Sequence, residues 1–66
     1  MNIKKAVTIC AAEQGMSKSD VAEGAGISRS TLSRMMAKNS CSIPMLARIA
    51  AALDVKMSYL MAKGGV

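Results

Sequence analysis

Apolar residues recur along this chain at helical rather than strand spacing. Over residues 2–14, Ile3, Val7, Cys10 and Ala11 return every three or four positions, and Gly15 supplies a stop. Met16 is followed by Ser17, with Asp20 three positions on. That is a capping-box start with Asp in place of the usual Glu. Val21 and Ala22 form the inward side of this second helix, Gly24, Ala25 and Gly26 end it, and Ile27 is an apolar turn residue pointing inward. Ser28 caps a third helix that runs to about residue 37. After a polar connection at 38–41, Ser42 caps a fourth helix, with Pro44 tolerated in its first turn. Ile43, Leu46, Ile49, Ala50 and Leu53 then recur along one face of it. Residues 56–62 make a last short helix that buries Met57 or Leu60, and residues 63–66 are expected to fray. No linker, low-complexity tract or internal repeat interrupts the pattern. The expected fold class is all-α, one five-helix domain over residues 1–66.

Composition agrees with helices and narrows the partners. The chain has 66 residues, room for one small core of marginal stability. Hydrophobic residues make up 52% and charged residues 20%, which separates it from disordered chains. Ala, Met and Leu are plentiful and the only aromatic is Tyr59, a helix-forming mix. Nine Lys and Arg against four Asp and Glu leave a charge of +5, which favours an anionic partner.

Enzyme chemistry is not expected. The chain contains no histidine, and its acids Glu13, Asp20, Glu23 and Asp54 are scattered. Cys10 and Cys41 cannot build a tetrahedral zinc site by themselves, no glycine-rich phosphate loop is present, and no cofactor is expected. Lys4 and Lys5 before the apolar run at 6–12 faintly imitate a secretory signal. Thr8 interrupts that run, however, and cleavage would remove a helix the remainder needs. No apolar stretch approaches the length of a membrane span. A cytoplasmic protein with reduced thiols is the expectation.

The third helix carries the chemistry. At roughly 100° per residue, Leu32 and Met35 fall on its buried side, while Arg29, Ser30, Ser33 and Arg34 fall opposite. Two guanidiniums and two hydroxyls on a stripe without acids suit base edges in a major groove, where Arg grips guanine O6 and N7. A merely solvated basic face is the plain alternative. Its flanks favour the first reading. Ser17 and Lys18 open the second helix, where unpaired N–H groups and the helix dipole attract phosphate. Lys38 and Asn39 stand ready for another phosphate beyond the third helix.

These segments resemble the Cro/CI-type helix-turn-helix regulators, the XRE family. Residues 15–35 carry the first signature: Ala22 matches the small residue where the two helices cross, Gly26 the turn glycine, and Val21, Ile27, Leu32 and Met35 the apolar positions. Residues 42–55 are similar to the family's fourth helix. The resemblance implies a lambda-repressor-like fold and a small regulator, a repressor of the Cro kind, binding double-stranded DNA in a prokaryotic cytoplasm. It implies that Arg29, Ser30, Ser33 and Arg34 touch bases. Lys18 takes the place of the phosphate-binding glutamine, with Ser17, Ser28, Lys38 and Asn39 as further phosphate contacts. It also implies a homodimer on a palindromic operator, formed mainly on DNA through the last helix and the loop before it, without a small-molecule ligand. Two departures stand out. Met36, Ala37 and Lys38 replace the usual Glu-Asn-Gly, and Ala11 stands where the family often has arginine, so apolar contact replaces a polar pair between the first and third helices.

The remaining residues take ordinary roles. Met16, Met35 and either Met45 or Met57 are expected to fill core gaps, leaving Met36 and Met61 exposed near a dimer contact. Tyr59 is expected to pack on the fourth helix or the partner with its hydroxyl in water, and Arg48 and Lys56 to be solvated. Cys41, near Lys38, is a weak candidate for a redox switch. Two other classes remain: a protein-binding module on the same fold (an antitoxin or antirepressor), and a basic amphipathic membrane-active peptide.

Overall fold

The computed structural model describes residues 2–65. Five helices follow one another: α1 Ile3–Gln14, α2 Lys18–Ala25, α3 Arg29–Lys38, α4 Ile43–Ala52 and α5 Met57–Gly64. Four begin at side-chain caps. Asn2, Ser17, Ser28 and Ser42 each accept a hydrogen bond from the backbone N–H three residues on. At Ser17 the capping box is complete, because the Asp20 carboxylate accepts the Ser17 N–H in return.

The first four helices also end alike. Gly15, Gly26, Asn39 and Asp54 all take a left-handed backbone, with φ of 68°, 74°, 52° and 56°. Each is followed by a residue whose N–H reaches back five positions: Met16 to Ala11, Ile27 to Ala22, Ser40 to Met35 and Val55 to Ala50. This is the Schellman arrangement, which satisfies carbonyls that the helix itself leaves open.

Val7, Cys10, Val21, Leu32, Ile49, Leu53 and Leu60 are fully buried, so every helix contributes to one core. α1 packs chiefly on α5, and α2 on α4 and α3. Small residues allow these approaches. A Cβ on Gly24 of α2 would lie 2.9 Å from the Ala52 Cβ of α4. A Cβ on Gly64 of α5 would collide with the Asn2 carbonyl and stand 2.7 Å from the Ala6 Cβ of α1.

Several expectations are corrected. Met36 is buried at 6% exposure, packed on the core between α1 and α3, while Met35 is only half-buried. Ala11 leaves room for the longer side chain, so apolar contact does replace the polar pair. Ile43 lies outside the buried stripe, because at the first position of α4 it precedes the turn that meets the core. Met45 and Met57 both pack against the core. Tyr59 donates its hydroxyl hydrogen to Glu13 Oε1 of α1 at 2.8 Å, and Lys63 stacks over its ring. Fraying does not begin at residue 63, since α5 continues through a buried Gly64 whose carbonyl accepts the Asn2 N–H at 2.6 Å. Val66, also expected to fray, lies outside the described residues. Cys41 is half-buried and burial pushes its thiol pKa up, the opposite of what an oxidation-prone thiolate requires.

Asn39 Oδ1 accepts the Ile3 N–H at 2.7 Å, across 36 residues of sequence. Asn39→Gly keeps the left-handed backbone but loses that bond, costing about 1 kcal/mol in urea unfolding. Asn39→Ala adds about 1 kcal/mol more for a side chain in that conformation. A glycine variant as stable as the wild type would show that the bond contributes nothing. The Ser17 N–H and hydroxyl hold the Asp20 pKa below its ordinary value. A folded pKa below the unfolded one stabilises at neutral pH, and that contribution disappears as pH falls from about 4 through the folded value. Urea midpoints measured from roughly pH 6 to pH 2 should therefore fall more steeply for the wild type than for Asp20→Asn. Parallel curves would assign the cap no pH-dependent role.

Candidate nucleic-acid interface

Two helix beginnings meet at the interface. Arg29, the first residue of α3, donates from Nη1 to the Ser19 hydroxyl of α2 at 3.3 Å, joining the exposed faces of both helices. From there Arg29, Ser30 and Arg34 stand exposed along α3, and Ser33 is half-buried. Leu32 anchors the opposite side in the core. The expected stripe is therefore present, with Ser33 recessed between the arginines.

The turn between the helices is shaped by Gly26. Its φ of 74° favours glycine, and a Cβ there would lie 2.6 Å from Nη2 of Arg48. The Arg48 guanidinium thus covers the turn while remaining exposed to solvent. Ala22 and Ala25 are buried where α2 meets the core, keeping the helix-turn-helix close-packed.

Local bonds limit what the flanking residues offer. The Ser17 hydroxyl and N–H are taken by Asp20, which leaves the Lys18 side chain and the first exposed turn of α2 for an anion. The Ser28 hydroxyl accepts the Thr31 N–H at 3.1 Å and shares a hydrogen bond with the Thr31 hydroxyl at 2.8 Å, so its first role is capping α3. Lys18 lies beside an apolar hollow of about 280 Å³ lined by Val7, Ala11, Met16 and Met36. Its aliphatic stem can rest on that surface while the ammonium faces water. At the far end of α3, Lys38 is exposed, but Asn39 Oδ1 is occupied by Ile3, leaving only the Asn39 amide hydrogens to donate.

Charge distribution sets these cations apart. Among the described residues the one ion pair joins Lys63 and Glu13 at 3.9 Å, and no carboxylate pairs with Lys18, Arg29, Arg34 or Lys38. Unneutralised guanidiniums on a convex helix, with a lysine at either flank, fit a polyanion held by its backbone and read from its groove.

Ser19 and the cap between Asn39 and Ile3 were not anticipated from sequence. Asn is a common left-handed terminator, but nothing local marks the distant partner of its side chain. Nothing local marked Ser19, since its contact with Arg29 depends on how α2 and α3 cross.

No curated protein and no solved structure matches the chain. The family model described as helix-turn-helix matches residues 9–60, more than three quarters of the sequence, from within α1 to within α5. No described helix is long and apolar enough to cross a membrane. With this match and the α2–turn–α3 geometry together, the chain belongs to the Cro/CI-type, or XRE, helix-turn-helix family of DNA-binding transcription regulators.

Proposed function

We propose that this chain is a Cro-like repressor that binds a palindromic operator as a dimer, with α3 in the major groove. The observation that carries the proposal is the exposed, acid-free Arg29–Ser30–Arg34 face of a helix anchored by Leu32. Arg29 and Arg34 take guanine edges, each by two hydrogen bonds, and Ser30 and Ser33 allow close approach to neighbouring bases. Lys18 and the first turn of α2, whose cap engages Ser17, hold phosphate on one flank together with the Ser28 backbone N–H. Lys38 and the Asn39 amide hold it on the other. Dimerisation places two recognition helices one turn of DNA apart on a two-fold site. Occupancy of the operator is then the repressive event, in a prokaryotic cytoplasm and on the nucleoid.

The test is selection from a pool of random duplexes, followed by anisotropy titrations across salt. A palindrome with guanines in each half-site should be enriched. Arg29→Ala and Arg34→Ala should each lose about 1–3 kcal/mol of discrimination at one position. Lys18→Ala should weaken binding to all sequences alike and reduce the salt slope by about 0.9 per copy. Salt-sensitive binding with no enriched sequence would sink the repressor reading and favour the protein-binding module.

A further inference from the structure

We infer that the face formed by the α3–α4 loop, the start of α4 and the outer side of α5 is where two copies of this chain touch. The inference rests on the dimeric reading above and names its surface: it keeps the last helix that family resemblance suggested and replaces the α4–α5 loop with the α3–α4 loop and the start of α4. Ile43 is 64% exposed and Met61 42% exposed, and among the described residues they are two of the three large apolar side chains left most open. Both line one concavity of about 420 Å³, with Ile3 and Leu46 at its base and Asn39 and Cys41 along its side. None of the residues lining it is charged.

That neutrality selects the occupant. A chain of charge +5 meets a second copy with least repulsion where neither presents a charge, and a two-fold contact sets the same patch against itself. Lys4 and Lys38 are exposed beside Ile3 and Asn39, so free copies still repel at the rim. Phosphates or salt remove that repulsion. Size points the same way. The concavity offers seven residues, against about 20–30 a side in a stable stand-alone interface. It suits copies that DNA already holds side by side.

Position agrees as well. Asn39 caps α3, so this end of the recognition helix abuts the patch. Half of the one-turn spacing is about 17 Å, within the 26 × 24 × 18 Å extent of the fold. Asn39 stands six residues, about 9 Å, along α3 from Ser33, so a two-fold axis just beyond the patch is compatible with that half-spacing.

The test uses the full chain, Ile43→Ser and Met61→Gln. Both side chains are exposed, so thermal unfolding by circular dichroism should be unchanged. Sedimentation equilibrium at about millimolar protein should show wild-type self-association that strengthens between roughly 0.05 and 0.5 M salt. The two variants should stay monomeric. On the selected palindrome each variant should bind about tenfold more weakly, with half-site affinity unchanged. A short bismaleimide should join Cys41 to Cys41 of the second copy on the palindrome and not on the half-site. Cys10, fully buried, should not react.

The outcomes separate the two readings. Wild-type protein that stays monomeric at high salt and fills the two half-sites independently overturns the contact and leaves the DNA reading standing. Self-association that Ile43→Ser and Met61→Gln do not weaken also overturns it. Salt-promoted association lost in both variants, with no duplex bound specifically, upholds the contact and removes the repressor reading.

Discussion

The beginning of α1 is the point on which the arrangement of the other helices depends. A helix start carries backbone N–H groups with no helical partner, and burying them unpaired is costly. Here the Asn2 N–H is received by Gly64 at the end of α5, the Ile3 N–H by the Asn39 side chain at the end of α3, and the Lys5 N–H by the Asn2 side chain. Two distant helix ends are thus brought to one place by the same unmet need. α3 is held at its end by α1, at its beginning by Ser19 of α2, and along its length by Leu32. A helix fixed in this way presents its exposed side chains without their first having to be ordered, which lowers the cost of any binding to that face.

A 66-residue chain with one aromatic cannot fill its centre with large rings. It brings backbones close instead. Gly24 lies against Ala52 and Gly64 against Ala6, with Ala22, Ala25 and Ala50 buried nearby. The gaps left by so many small residues are taken by half-buried methionines and by Met36, whose flexible thioether adapts to irregular space. Replacing a polar brace by Met36 beside Ala11 follows the same economy. It exchanges a directional interaction for apolar contact and leaves a shallow hollow by Lys18.

Charge is unevenly engaged over the surface. Glu13 is engaged by Tyr59 and Lys63, and Asp20 by the Ser17 cap. Two of the four acids are thereby committed to internal contacts, while among the described residues the arginines of α3 pair with no carboxylate. The hollow between Ile43 and Met61 is lined by no charged residue, in contrast to the cationic face of α3.

Much of this was legible in sequence, because it rests on local rules. Serine three residues before a backbone donor, glycine after a periodic run, and apolar spacing of three and four are properties of single segments. They located five helices and the Arg29–Ser30–Ser33–Arg34 stripe. Asn39 and Asp54 end α3 and α4 as Gly15 and Gly26 end α1 and α2, yet only the glycines announce a stop in the sequence, because other residues enter the left-handed region at a cost that context must offset. The burial of Met36 rather than Met35, the exposure of Ile43, the bond between Tyr59 and Glu13, and the capping of Ile3 by Asn39 were decided by tertiary structure alone. Each depends on where a second helix lies, and a helical period shows which side of a helix is apolar without showing how far its neighbour reaches along it.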